Sequence, residues 1–133
     1  MTDCTKEIIG AAIDVHNAIG PGLLESAYER CLAYELNLRG IRFVQQLPLP
    51  LIYKQLRVDY AYRVDFLVDD VVVEVKSIAS IDPIHMAQMI TYMKLGNWSL
   101  GLLINFNVTS LTRGIRRVVL NPSSPSSPSS PLR

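Results

Sequence analysis

The sequence predicts an α/β (α+β) domain in which a mixed sheet is covered by helices, and three features carry that prediction. Apolar residues recur with helical spacing over two N-terminal segments. A central run of β-branched residues then alternates with period two on either side of Asp69-Asp70. A third helical segment follows, and it leads into a short apolar strand of the buried kind. The chain has 133 residues, 49% of them hydrophobic, which suits one domain able to bury a core.

The first helix is expected over 4–18, where Ile8, Ile9, Ala12, Ile13, Val15 and His16 follow the helical period. Thr5 or Asp3 could cap it, and Gly20-Pro21-Gly22 ends it sharply. A second helix runs from about Leu23 to Leu38, with Gly40 as its stop. Residues 41–53 read as extended, with Pro48 and Pro50 pointing to an edge strand or a bulge. A hairpin occupies 57–76, and Val71-Val72-Val73 suits a central strand. Asp82 and Pro83 mark the start of a third helix, which ends before Gly96-Asn97. Leu100–Phe106 is a strand, and residues 115–120 form a short strand or a helical turn. The folded domain is therefore expected over 1–120. Residues 121–133 contain three Ser-Ser-Pro units with no apolar pattern and are expected to be disordered.

Composition excludes several classes. Two cysteines, Cys4 and Cys31, make no disulfide framework and no Cys-x-x-Cys pair. No stretch approaches the ~20 apolar residues of a membrane span, and Met1-Thr2-Asp3-Cys4 does not open a signal peptide. A reduced, cytoplasmic protein without a membrane partner is the expectation. The net charge of +1 gives no overall signature of polyanion binding. Nucleic-acid contact would need local patches, one at Arg113, Arg116 and Arg117 and another at Lys54, Arg57 and Arg63.

The hairpin carries the chemistry. A two-residue loop at Asp69-Asp70 pairs Val68 with Val71, Phe66 with Val73, Asp65 with Glu74 and Arg63 with Lys76. One face then reads Val64, Phe66, Val68, Val71, Val73 and Val75, all apolar. The other carries Arg63, Asp65, Leu67, Val72, Glu74 and Lys76. Like charges directly opposite each other destabilise a sheet, and a cation held between Asp65 and Glu74 would remove that cost. Two carboxylates suit a hard ion such as Mg²⁺, which would activate a bound water and polarise a phosphoryl oxygen. Lys76 projects to the same side, where its ammonium could stabilise developing charge, orient the water or accept a proton. The plain alternative is a solvated hairpin face, rescued by diagonal contacts between Arg and Glu and between Asp and Lys.

Two further clusters could join the site. Glu25 lies in the first turn of the second helix and Tyr28 shares its face. Glu25 is either an ordinary N-terminal helix acid or a group completing the shell of the hairpin acids, and Glu29 one turn on reads as a solvated acid. Gln88 and Tyr92 lie on one face of the third helix, with His85 three residues before Gln88. Their polar tips could reach a water or a phosphate, or simply form the polar edge of an amphipathic helix.

These segments occur together in a known family. Asp65 followed by Glu74-Val75-Lys76 resembles the Asp…Glu-x-Lys core of the PD-(D/E)XK nuclease superfamily, with Val64 where the superfamily's name carries proline. Gln88 to Tyr92 is similar to the Gln-x-x-x-Tyr helix of its recombination and repair exonucleases. Gly22 to Tyr28 matches the Gly-x-x-Glu-x-x-Tyr signature of a small family within it, usually written GxxExxY. The resemblance covers about residues 5–120 and implies a restriction-endonuclease-like αβββαβ core. It further implies that Glu25, Asp65, Glu74 and the Val75 carbonyl approach Mg²⁺, for which Mn²⁺ can substitute. Lys76 would be the catalytic lysine, and Gln88 and Tyr92 would position water or the DNA backbone. The expected function is a metal-dependent nuclease acting on DNA, with a homodimer or a protein partner to supply targeting. A non-catalytic module that binds nucleic acid or protein on the same fold is the alternative.

Overall fold

The computed structural model describes residues 4–121, apart from the side chains of Tyr60 and Ala61. Asp3 and the Ser-Ser-Pro run expected to form a tail lie outside the described residues. Helix α1 spans Thr5–Ile19 and α2 spans Glu25–Leu38. Strands β1 (Val44–Tyr53), β2 (Leu56–Val68) and β3 (Val71–Lys76) follow, then α3 (Pro83–Gly96), β4 (Leu100–Asn105), a 3₁₀ turn (Leu111–Gly114) and β5 (Ile115–Val119). Residues 115–120, open between strand and turn in sequence, therefore give a strand. Among the described residues no helix is long and apolar enough to cross a membrane.

The five strands lie in the order β1-β2-β3-β4-β5. All neighbours are antiparallel except β3 and β4, which α3 joins as a crossover. Helices α1 and α2 cover one face of the sheet. Ile8, Leu32, Phe66, Val73 and Ile104 are buried between them and the strands. Helix α3 covers the other face, its Met89 and Met93 packing over Leu49, Val64 and Val72. Strand β3, at the centre, is buried on both faces, as its β-branched run requires. Strand β1 is an edge, and its register with β2 shifts between Leu49 and Leu51, leaving Pro50 at the irregularity.

Local chemistry sets the helix ends. Residue Thr5 opens α1 without a side-chain cap, and Cys4 rather than Thr5 holds the cap position. Gly20 and Gly22 have φ of 73° and 98°, so the chain between α1 and α2 uses conformations that favour glycine. The extended Leu24 delays α2 to Glu25. At α3, Asp82 and His85 form a reciprocal capping box in which the Asp82 N–H donates to His85 Nδ1 at 2.8 Å.

The hairpin keeps the expected turn and the pairs Val68–Val71, Leu67–Val72 and Phe66–Val73. It then departs from the expected register: Asp65 is not paired with Glu74, nor Arg63 with Lys76. The continuous apolar face is also corrected. Phe66 packs toward α1 and α2, but Val64, two residues away, packs under α3. Successive even positions of a regular strand share a face. The pleat therefore changes sides at Asp65. The same step occurs opposite it in β1, where Gln46 adopts a φ of 55° and drops out of the ladder with Asp65.

Candidate active site

The break in the ladder is filled by the two carboxylates themselves. Glu74 Oε2 accepts the backbone N–H of Asp65 at 2.8 Å. Asp65 Oδ2 accepts the backbone N–H of Val75 at 2.9 Å. Each acid thus holds the other strand's main chain, and side-chain oxygens stand where strand carbonyls would otherwise accept. Strand β3 is fixed from its far side by its parallel ladder, with Glu74 beside Leu103 and Lys76 beside Asn105. The Phe106 N–H donates to the Lys76 carbonyl at 2.8 Å and extends that pairing by one bond.

Burial decides the electrostatics. Glu74 is 5% exposed. Burial, reinforced by the charge of Asp65, pushes its carboxyl up to about 8. Burial also pushes Asp65 up to about 6, against the hydrogen bond from Val75 and the Lys76 ammonium, which pull it down. Tyr92 is raised by burial first and then by the charge of Glu74. Its ring lies 5.7 Å from that of Tyr62 on β2, and the charges of Glu74 and Asp65 both act on it. Lys76 Nζ donates to Gln88 Oε1 at 3.5 Å, at the limit of a hydrogen bond. Asp65, Glu74, Lys76, Gln88 and Tyr92 therefore converge from β2, β3 and α3.

Glu25 stands apart from that group. It is exposed in the first turn of α2, and its Oε2 accepts the Ser77 N–H at 3.3 Å. Ser77 Oγ donates to the Leu23 carbonyl at 2.6 Å, tying the loop before α2 to the end of β3. Tyr28 fixes the same loop: its hydroxyl donates to the Gly20 carbonyl at 2.6 Å and accepts the Leu23 N–H at 3.1 Å. Its ring stacks on Phe106 at 4.6 Å. The acid of α2 that faces the pair is Glu29, which reads as solvated from sequence. Its charge raises both Asp65 and Glu74. Gln46 Nε2 bridges Glu29 Oε2 at 2.6 Å and Asp65 Oδ1 at 3.3 Å. Two adjacent glutamines, Gln45 and Gln46, in an otherwise apolar strand are the one sequence signal of this link.

The donor chemistry suits a hard cation. The Asp65 and Glu74 carboxylates and the Val75 carbonyl offer oxygens only. Glu74 Oε1, on a buried side chain, has no hydrogen-bond partner among the described residues. A buried, unpaired carboxylate oxygen is costly unless a proton or a cation satisfies it. Among the described residues no group of three or more His, Cys, Asp or Glu side chains is gathered closely enough to hold a metal ion. Two acids face each other, and Glu25 is not drawn in with them. His85 serves as a helix cap, and His16 is buried with Nε2 2.8 Å from the Val108 carbonyl. The three arginines expected as one patch also separate: Arg117 Nη1 donates to Thr5 Oγ1 on the α1 side of the sheet.

A sequence profile of the PD-(D/E)XK nuclease superfamily matches residues 2–118. The chain belongs to that superfamily. No curated protein and no solved structure gives a significant match. The succession α2-β1-β2-β3-α3-β4 is the αβββαβ core of the restriction-endonuclease-like fold. Asp65 and Glu74-Val75-Lys76, the residues of the Asp…Glu-x-Lys spacing in the sequence, stand around the break in the ladder. Membership implies nuclease chemistry, a nucleic-acid substrate class and a divalent metal.

Proposed function

We propose that this chain is a Mg²⁺-dependent deoxyribonuclease of the Gly-x-x-Glu-x-x-Tyr type, hydrolysing phosphodiester bonds in DNA repair, recombination or defence. The observation that carries the reading is the buried pair Asp65 and Glu74, cross-bonded to each other's strands with Lys76 alongside. A divalent ion bound there, with Mn²⁺ able to replace Mg²⁺, would supply a water of lowered pKa and a Lewis acid for a phosphoryl oxygen. Asp65, Glu74 and the Val75 carbonyl would hold it. Lys76 orients the attacking water and stabilises charge developing on the phosphate. Gln88 would hold the Lys76 ammonium, and Tyr92 would help to position water or the DNA backbone. The water oxygen forms a bond to phosphorus and gives up a proton, the bond to the 3′ oxygen breaks, and that oxygen takes up a proton from solvent, so that the two proton transfers balance.

The test is cleavage of linear, nicked and branched DNA with Mg²⁺, with Mn²⁺ and with chelator. Cleavage is expected only with metal. Lys76→Ala and Asp65→Ala should each lower it by at least ~10²-fold while circular dichroism stays native. Absence of cleavage on every substrate, with wild type and variants alike, would instead favour a non-catalytic binding module.

A further inference from the structure

The face of the sheet that carries Glu74 continues across β4 to β5. Glu74 pairs with Leu103, and Leu103 pairs with Arg116, so the three side chains form one row on one face. Val118, two residues beyond Arg116, packs under α3 with Val72 and confirms the side. Arg116 therefore stands two strand spacings, about 10 Å, from the acid. In the next row Lys76 pairs with Asn105. Gly114 lies against Asn105 so closely that a β-carbon there would sit 2.2 Å from the Asn105 carbonyl oxygen. Only glycine allows that approach, which holds the segment from Arg113 to Arg116 against the end of β4.

Between these groups lies a cavity of about 220 Å³, lined by Ser80, Ile81, Asn105, Arg113, Gly114 and Arg116. The Arg113 guanidinium has no hydrogen bond or ion pair among the described residues. Arg116 Nη1 donates to the Arg113 and Ile115 carbonyls, at 2.9 and 3.2 Å, which positions its guanidinium without neutralising it. Neither arginine has a carboxylate partner among the described residues. The acid of the adjoining loop, Asp82, is engaged with the Ser80 hydroxyl and the start of α3. Asn105 is satisfied by the Ile78 main chain, so the lining is rigid on that side.

We propose that this cavity is a phosphate subsite for the substrate strand, with Arg113 and Arg116 as its cationic ligands. The inference rests on the nuclease reading and adds to it a direction: the strand crosses from the acids over β4 toward β5. A planar guanidinium fork matches phosphate oxygens, and two uncompensated forks beside a cavity suit a phosphodiester rather than a neutral ligand. One strand of a duplex carries a charge per ~3.4 Å of axis. A group about 10 Å from the acids thus takes a phosphate a few positions from the one being cut. Arg113 and Arg116 touch no reacting atom and act by positioning.

The test is the salt dependence of binding, read by fluorescence anisotropy of a labelled DNA duplex in Mn²⁺. The parent is Lys76→Ala, and metal-dependent cleavage of the same duplex by the wild-type protein, measured in parallel, reports separately on the nuclease reading. Added Arg113→Ala or Arg116→Ala should each reduce the slope of log affinity against log salt by about 0.9. Arg116→Lys should retain the slope, and Arg30→Ala, on exposed α2, should leave slope and affinity unchanged. The Arg113 guanidinium makes no hydrogen bond or ion pair among the described residues, so its variant remains informative even if Arg116→Ala is unstable. Parental slopes in both alanine variants, or no DNA binding by the parent, would overturn the subsite.

Discussion

Glu74 is held in the protein at a thermodynamic cost that a proton can relieve. Its carboxyl is raised from the ordinary value of 4.5 to about 8, and that of Asp65 from 3.8 to about 6. The folded chain therefore binds protons more tightly than the unfolded chain. A group raised in this way contributes stability that is complete below its unfolded value and is lost as pH rises through its folded value. The metal-free protein should accordingly melt at falling temperature from about pH 4 to about pH 8. Each tenfold difference in proton affinity between the folded and unfolded chain is worth ~1.4 kcal/mol, or roughly 5 °C in a domain of this size. Glu74→Gln keeps the shape and a group able to bond the Asp65 N–H but cannot ionise. Its melting temperature should exceed that of wild type at pH 8 by at least ~5 °C, converge with it near pH 4, and respond less to Mn²⁺. Calorimetry across that range decides the matter; parallel pH profiles for the two proteins would mean that Glu74 does not titrate in this window.

The loop from Gly20 to Leu24 is positioned by an aromatic residue on the helix that follows it. Tyr28 binds Gly20 and Leu23 through one hydroxyl while its ring rests on Phe106. Tyr28→Phe keeps the ring and removes both bonds, so about 1–2 kcal/mol of stability should be lost, with the denaturant slope unchanged. An unchanged midpoint in urea would show that the loop does not need the clamp. Helix and strand positions of this kind are readable because they rest on local period: α1, α2, α3 and the turn at Asp69-Asp70 follow from spacing and from Gly, Pro and Asp signals. The Asp…Glu-x-Lys pattern likewise marks the residues that meet at the ladder break. What eludes the sequence is non-local. The pleat change at Asp65 coincides with Gln46 leaving the ladder across the strand pair, and that glutamine is the hydrogen-bond link between Glu29 and the acids. Simple register counting from the turn cannot see a partner nineteen residues away, which is why it assigns Val64 to the wrong face.

Across the whole molecule, stability is expected to concentrate where the two helical layers meet the sheet. Strands β3 and β4 are covered by α1 and α2 on one side and by α3 on the other. The far ends of β1 and β2 differ. Strand β3 pairs with β2 only from Phe66 to Val68, and beyond the irregularity at Pro50 the two strands pair only with each other through Leu51–Val58, Ile52–Arg57 and Tyr53–Leu56. Ile52, Tyr53 and Leu56 are each about 60% exposed, so this ribbon buries little apolar surface to hold it closed. A two-stranded ribbon without a covering layer is marginal in water. Its amides should open locally, with a free energy well below that of global unfolding. In native-state hydrogen exchange, Val72, Val73, Leu102 and Leu103 should exchange last, and residues 52–57 should exchange at least ~10²-fold faster. Slow exchange at the ribbon that speeds up on dilution would mean that a second copy of the chain covers Ile52, Tyr53 and Leu56 in solution, while slow exchange independent of concentration would mean that the ribbon is stable on its own pairing and that burial does not govern opening here.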